Sequence, residues 1–164
     1  MAACYKAKGQ TLCDRLDALY SEYGYYYDAQ ASYKLQGIAG KEKIKTIMAT
    51  LRAASSEQTE QTERAEQTGA AATSGSRRAA DATAFWRTGQ ENGVQVLDYA
   101  KGIAGLPTTD LLKYKLADGF WLAIRPSGTE PKLKLYCSLV EKDETAAKAR
   151  FEQICRQFEA AFRL

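Results

Sequence analysis

The chain has 164 residues, and its 23 Lys and Arg against 20 Asp and Glu leave a formal net charge of +3, which is too small for a protein that coats a polyanion. Hydrophobic residues make up 45% of the sequence, as in an ordinary globular domain, and no apolar run reaches the roughly 18 residues that cross a bilayer. The sequence contains no His, which excludes a Ser–His–Asp triad, a His proton shuttle and a His metal ligand.

The cysteines indicate a reducing compartment. They form no close Cys-x-x-Cys pair and stand at Cys4, Cys13, Cys137 and Cys155. The N-terminal residues carry no signal-peptide pattern, so we expect reduced thiols in a cytoplasmic protein. A metal site would need clustered ligands, and the cysteine spacing does not offer them, so we predict no metal site in this chain.

The N-terminal part predicts a helix over residues 12–23, with Thr11 as N-cap and Gly24 as its end. Its apolar side chains recur at spacings of three and four: Leu12, Leu16, Leu19, Tyr20 and Tyr23. This apolar face predicts packing against another element. The run of three tyrosines at residues 25–27 is interpreted as packing material rather than as a ligand platform.

A short strand over residues 32–36 places Tyr33 and Leu35 on one face. Gly37 and Gly40 then bracket a turn before a helix over residues 41–52. One apolar stripe follows that helix: Ile44, Ile47, Met48 and Leu51.

Residues 53–84 contain no Val, Ile, Leu, Met, Cys or aromatic side chain, and they include three Glu-Gln-Thr triplets. Such a stretch cannot bury enough apolar surface to offset the backbone entropy of ordering it, about 1–2 kcal/mol per residue. We therefore predict a disordered insertion over these residues.

Beyond the insertion, the apolar residues no longer recur with a helical period but at every second position. Alternation predicts strands over residues 93–99, 111–117, 120–125 and 132–140. Asp118-Gly119 predicts a two-residue type I′ hairpin turn between the second and third of these. A final helix is predicted from the N-cap Asp143, with apolar positions at Ala147, Phe151, Ile154, Cys155, Phe158, Ala161 and Phe162.

The predicted order is β-α-β-β-β-β-α, which indicates an α+β fold with an antiparallel sheet and its helices on one face. The opposite face would be free to meet another domain or a ligand.

The loop between the last two predicted strands carries the strongest signal for a functional site. Arg125 offers a planar fork of donors, and Ser127 and Thr129 each offer a hydroxyl. Gly128 leaves the neighbouring backbone N–H groups open to an anion. Together these residues predict a cradle for a phosphate group.

Prolines and charges around the loop bear on the same prediction. Pro126 and Pro131 fix the backbone at both ends, and Lys132 and Lys134 begin the next strand near Arg125. Three converging cations favour an anion site. An ordinary tight turn uses the same small residues, and the two lysines also suit a solvated sheet face. Glu130 would repel phosphate and is assigned a structural role, pairing with Lys132 or Arg125 or bonding to the loop backbone.

Residues 123–136, Ala-Ile-Arg-Pro-Ser-Gly-Thr-Glu-Pro-Lys-Leu-Lys-Leu-Tyr, resemble the C-terminal phosphate-binding loop of the α-D-phosphohexomutases, the phosphoglucomutase and phosphomannomutase family. Residues 9–27 resemble the segment leaving that family's third domain, and residues 96–99 with 111–115 resemble its fourth domain. The resemblance covers nearly all of the chain outside residues 53–84. It implies a TATA-binding-protein-like fold, in agreement with the element order above.

Members of this family have four domains. The resemblance implies that residues 1–28 are the end of a preceding domain with an interdomain helix, and that residues 29–164 are the C-terminal phosphate-binding domain. The family's phosphorylated-serine loop, Mg²⁺-binding Asp-rich loop and sugar-hydroxyl loop have no counterpart in this sequence. We therefore expect a C-terminal fragment without catalytic residues of its own, with Mg²⁺ bound elsewhere in the full-length enzyme.

The implied activity is that of an isomerase of carbohydrate metabolism, most simply a phosphoglucomutase interconverting glucose 1-phosphate and glucose 6-phosphate through a bisphosphate. The last domain holds the phosphate that is not reacting. Carried over by position, the resemblance implies that this phosphate is held by Arg125, Ser127, Gly128 and Thr129, with Lys132 or Lys134 adding charge. The expected partners are a sugar phosphate and the upstream domains, with no nucleic acid and no membrane.

Two alternatives stay open at this point. One is a nucleic-acid-binding module that uses the open sheet face through Lys132, Lys134 and Tyr136. The other is a regulatory or scaffolding domain that has lost its enzyme.

Overall fold

The computed structural model describes residues 2–68, 94–103, 105–116 and 119–164. Its helices are α1 (Ala2–Ala7), α2 (Leu12–Tyr23), α3 (Gly37–Thr68) and α4 (Glu144–Phe162). Its strands are β1 (Tyr25–Lys34), β2 (Gln95–Asp98), β3 (Leu112–Lys115), β4 (Trp121–Pro126) and β5 (Lys132–Glu141). A short 3-10 turn, Tyr99–Lys101, follows β2.

The five strands form one sheet in the order β1-β5-β4-β3-β2, and every neighbouring pair is antiparallel. Along the chain the order is β1-α3-β2-β3-β4-β5-α4. The predicted α+β class, its antiparallel sheet and its element order are confirmed.

Both long helices pack on the same face of the sheet. Side chains of β3, β4 and β5 form one apolar cluster with α3 and α4, in which Met48, Leu135 and Phe158 are almost fully buried. Inward and outward residues alternate strictly along β5, with Leu133, Leu135, Cys137 and Leu139 buried as predicted. The outward residues of β5 lie on the other face, which no described helix covers.

Local signals at the start of α2 account for that helix. Thr11 Oγ1 accepts from the Asp14 N–H at 3.1 Å, and Asp14 Oδ2 accepts from the Thr11 N–H at 2.7 Å. Gly24 ends α2 with φ at 89°, and a Cβ there would meet Val140 Cγ1 at 2.8 Å. The predicted cap and end are confirmed.

The predicted packing of the apolar face of α2 is limited among the described residues to its C-terminal end, where the Tyr20 ring lies 4.6 Å from the Tyr25 ring between centroids. Within the described ranges no side chain of α2 is buried, and Leu12, Leu16 and Tyr23 remain 55%, 45% and 59% exposed.

The predicted strand over residues 32–36 is too short and ends too late. β1 starts at Tyr25 and ends at Lys34, pairing with β5 along its whole length. Its inward positions include Ala29 and Ala31, whose small side chains give a weak apolar alternation, so the pairing partner decides its extent. The domain boundary predicted between residues 28 and 29 falls within β1, and it stays a prediction.

The helix predicted over residues 41–52 is longer at both ends. It starts at Gly37 and continues to Thr68, into the segment predicted to be disordered. Ala54 and Ser55 are 2% and 6% exposed, and Ser55 Oγ donates to the Leu51 carbonyl at 2.7 Å. The helix therefore extends into the segment predicted to be a disordered insertion, and the Ala, Glu, Gln and Arg of that segment are residue types that favour extension of a helix from an anchored turn. Residues 69–84 lie outside the described residues.

The hairpin between β3 and β4 is confirmed, but its turn is not a two-residue turn. The Leu116 N–H donates to the Phe120 carbonyl at 2.9 Å, so three residues connect the pair. Gly119 has φ at 85°, the left-handed position that closes a three-residue connection. Ala117 and Asp118 lie outside the described residues.

The last helix begins after Asp143, whose Oδ1 accepts from the Ala146 N–H at 2.7 Å. The predicted N-cap is confirmed. Ala161, predicted on the apolar face, is exposed instead, because the buried stripe passes through Ile154, Phe158 and Phe162. The strand predicted over residues 93–99 is shorter than expected, since β2 ends at Asp98 and Tyr99 begins the 3-10 turn.

Candidate functional site

The loop between β4 and β5 is short and held at its base. The Ser127 N–H donates to the Lys132 carbonyl at 2.7 Å, and the Lys132 N–H donates to the Glu130 carbonyl at 2.8 Å. On the outer side, the Leu35 N–H donates to the Pro131 carbonyl at 2.9 Å. The loop is therefore anchored to β4, β5 and the end of β1.

The predicted cations lie on the open face of the sheet at this end. Arg125 of β4 stands directly opposite Lys134 of β5 in the strand register. Lys132 is two residues before Lys134 and therefore points to the same face. Arg125 is exposed, so its guanidinium is not sealed within the protein. The three cations predicted to converge do lie on one surface.

The small residues of the loop are open to solvent. Gly128 and Thr129 are exposed and Ser127 is half-buried. No heavy atom lies within 4 Å of the place where a Cβ on Gly128 would stand. The glycine is thus not required by protein packing, and its backbone is open to an incoming group.

Several hydrogen-bond donors of this loop have no partner within the described part of the chain. They are the backbone N–H groups of Gly128 and Thr129, the hydroxyls of Ser127 and Thr129, and the guanidinium of Arg125. Because strong donors at a rigid turn can all be satisfied by one acceptor-rich anion, this set is suited to a phosphate group.

Glu130 is the one residue of the loop that opposes an anion. Its carboxylate forms a salt bridge with the Lys132 ammonium at 2.7 Å, so pairing with Lys132 is confirmed among the roles predicted for it. The hydrogen bond and charge of Lys132 lower the pKa of Glu130, and the charges of Lys34 and Lys134 lower it further. The carboxylate therefore stays ionised and neutralises part of the positive charge of the site.

Sequence reasoning missed Lys34. It lies at the end of β1, directly opposite Lys132, and its side chain points to the open face. The predicted alternation of Tyr33 and Leu35 already placed Lys34 on the other face from them. The pairing of β1 with β5 could not be derived from the sequence, so no signal linked Lys34 to the loop.

A second concave region of the molecule lies outside the predicted site. A cleft of about 240 Å³ lies away from the loop, beside Arg52, Val96 and Asp98. Arg52 bonds there to Asp98 at 3.2 Å and also to Asp110, which ties α3 to the segment around β2. This cleft contains none of the predicted site residues.

Outside the loop, the part of the chain that the structure describes also contains free thiols at Cys13, Cys137 and Cys155. Within the described ranges, no three His, Cys, Asp or Glu side chains come together in a group able to hold a metal ion. Burial raises the pKa of the Cys137 thiol to about 12, which leaves it protonated and unreactive at neutral pH. In the same part of the chain, no helix combines the length and apolar character of a membrane span.

Comparison with known proteins places the chain beside sugar-phosphate mutases. Residues 77–157 match the family model described as the C-terminal domain of phosphoglucomutase/phosphomannomutase. A phosphoglucomutase of Staphylococcus saprophyticus is 29% identical over 165 residues, covering 94% of this chain and 23% of that protein. One from Staphylococcus epidermidis is 33% identical over 138 residues, covering 84% of this chain and 22% of that protein.

A solved structure agrees at the level of the fold. It is the open form of the exocytosis-sensitive phosphoprotein pp63/parafusin, a phosphoglucomutase from Paramecium, with a TM-score of 0.56 and 14% identity. The match covers 96% of this chain and 24% of that one. The chain thus spans less than a quarter of the length of each of these relatives.

Proposed function

The chain belongs to the phosphoglucomutase/phosphomannomutase family through its C-terminal domain, and on that premise we propose that the β4–β5 loop binds the non-reacting phosphate of a sugar phosphate. The observation that carries the proposal is the set of open donors at Arg125, Ser127, Gly128 and Thr129 on a loop fixed to three strands. A single phosphate dianion would accept hydrogen bonds from several of these donors at the same time.

The loop is built to bind without large rearrangement. Its backbone hydrogen bonds and its two prolines fix the base, so little conformational entropy is lost when a ligand binds. Charge-assisted hydrogen bonds contribute about 1.5–3 kcal/mol each. After the cost of association, two or three of them support a dissociation constant of about millimolar order for this chain alone.

The role that we propose for the loop in a reaction is the one that the family resemblance implies. In the proposed mutase, a phosphoserine gives its phosphoryl group to the sugar phosphate, and the bisphosphate turns and returns the other phosphoryl group. Arg125 and the loop donors hold the phosphate that is not transferred. Binding energy gained there positions the sugar and favours closure of the site around it.

We propose glucose 1-phosphate and glucose 6-phosphate as substrates of the whole protein, since the curated relatives above carry the name phosphoglucomutase. Mg²⁺ would be needed by that protein, but the described residues do not fit a Mg²⁺ site, because they bring no group of three possible ligands together. We therefore assign no step in this chain to the metal. A cytoplasmic location and contact with upstream domains are part of the same proposal.

The proposal is tested by titrating glucose 6-phosphate into the isotope-labelled chain and following the amide resonances. The amides of residues 127–129 should shift first and saturate together in the millimolar range. Unphosphorylated glucose is the matched control and should leave them unchanged. Equal shifts with glucose, or shifts spread over the helices with the loop unmoved, would contradict phosphate binding at this loop.

A further inference from the structure

Lys34 is a charged residue for which the loop proposal gives no role. In the register of β1 and β5 it stands directly opposite Lys132, and both side chains point to the open face. Like charges directly opposite each other destabilise a pair of strands. The arrangement therefore calls for a counter-charge at this place on the sheet.

The position of Lys34 relative to the loop is fixed by the residues on either side of it. Tyr33 and Leu35 pack against the apolar core on the inner face. The Leu35 N–H donates to the Pro131 carbonyl at 2.9 Å, which carries the hydrogen bonding of β1 past Lys34 to the last residue of the loop. The residues before and after Lys34 therefore fix its backbone beside the loop.

The counter-charge present does not balance the cluster. Four cations, Arg125, Lys134, Lys132 and Lys34, face one carboxylate, Glu130, which pairs with Lys132. Within the described ranges, no carboxylate lies within ion-pair distance of Arg125, Lys134 or Lys34. Together with the nearer Lys132, Lys34 holds the pKa of Glu130 below its usual value, so its field reaches the loop.

We propose that Lys34 is a further phosphate-binding residue, which extends the site from β4 and β5 onto β1. This inference rests on the proposed function and adds a residue to that same site. Because Glu130 already engages Lys132, the charge available to a dianionic phosphate ester comes from Arg125, Lys134 and Lys34. Lys34 acts as a flexible point charge on the ester, not as part of the backbone cradle.

The test is the glucose 6-phosphate titration repeated on Lys34→Met and on Lys115→Met in the full 164-residue chain. Lys115 is the matched control, since it is exposed on β3 opposite Trp121, two strands away from β5. Both substitutions remove one surface charge and keep the aliphatic stem. We expect Lys34→Met to weaken binding about three- to tenfold and Lys115→Met less than about twofold. Lys34→Arg should bind within about twofold of the unsubstituted chain.

The outcomes separate this inference from the proposed function. Binding that is unchanged in Lys34→Met while Arg125→Ala weakens it would overturn the role of Lys34 and keep the loop site. Equal weakening by Lys34→Met and Lys115→Met would also overturn it, because the effect would then come from net charge alone. Absence of any loop shift in the unsubstituted chain would instead refute the proposed function itself.

Discussion

Replacing Arg125 by Ala tests whether the loop donors act on a ligand or only on the fold. The Arg125 side chain is exposed and has no hydrogen-bond or ion-pair partner within the described part of the chain. Its removal should therefore change the free energy of unfolding by less than about 0.5 kcal/mol. For the phosphate complex the same change removes at least one charge-assisted hydrogen bond, about 1.5–3 kcal/mol.

That loss corresponds to binding that is about 10- to 150-fold weaker. Starting from a dissociation constant of about millimolar order, Arg125→Ala should not saturate at any practical concentration of glucose 6-phosphate. The two readouts are the amide titration and a urea unfolding curve on the same sample. Arg125→Lys keeps the charge but not the planar fork of donors. Its affinity for glucose 6-phosphate should therefore lie between that of the unsubstituted chain and that of Arg125→Ala.

Two results would refute this reasoning. An unchanged dissociation constant in Arg125→Ala would show that the guanidinium does not contact the phosphate. A clearly lower urea midpoint would show that Arg125 is bonded within the folded chain, so that a loss of binding could not be assigned to the ligand.

Two further predictions concern the fold that carries the loop. Removing residues 54–83 should lower the urea midpoint more than removing residues 69–83, because only the longer deletion takes out the buried Ala54 and Ser55; equal midpoints would contradict a structural role for that turn of α3. Burial raises the pKa of Tyr114 to about 12 from its ordinary value of 10.0. Stability should therefore fall as the pH rises from about 10 to about 12, because the unfolded chain loses that proton first. Tyr114→Phe should make this fall less steep but not abolish it, because burial also raises the pKa values of Tyr33 and Cys137; a slope as steep as in the unsubstituted chain would assign the whole fall to other groups.

Helices and strands whose own residues show a clear apolar period or a cap were predictable from the sequence. Elements whose extent depends on pairing with another strand were not. β5 alternates Leu and Lys so regularly that both of its faces could be assigned, and α4 has an Asp cap followed by a clear apolar stripe. The start of β1 could not be found, because its extent follows from ten pairings with β5 rather than from its own side chains. The end of α3 was missed because the segment after residue 52 has no large apolar residues. Such a segment can still continue a helix that is anchored at one end.

The same distinction applies to the site. The loop donors are adjacent in the sequence, so their residue types and their spacing could be interpreted together from the sequence alone. Lys34 is brought to them by the β1–β5 register, and the hydrogen bond from the Leu35 N–H to the Pro131 carbonyl extends that pairing to the loop. A site made of one loop is within reach of sequence analysis, whereas a charge supplied across a sheet is not.

The balance of charge at the loop also bears on how a mutase would use it. Glu130 neutralises Lys132 and leaves a net positive cluster that is exposed rather than enclosed. Exposed charges are screened by solvent and salt, so the cluster can attract a dianion without holding it for long. An intermediate that must turn and present its other phosphate has to be released from this site in every cycle. Weak, fast-exchanging binding on an open sheet face would suit that requirement better than a buried, fully satisfied pocket would.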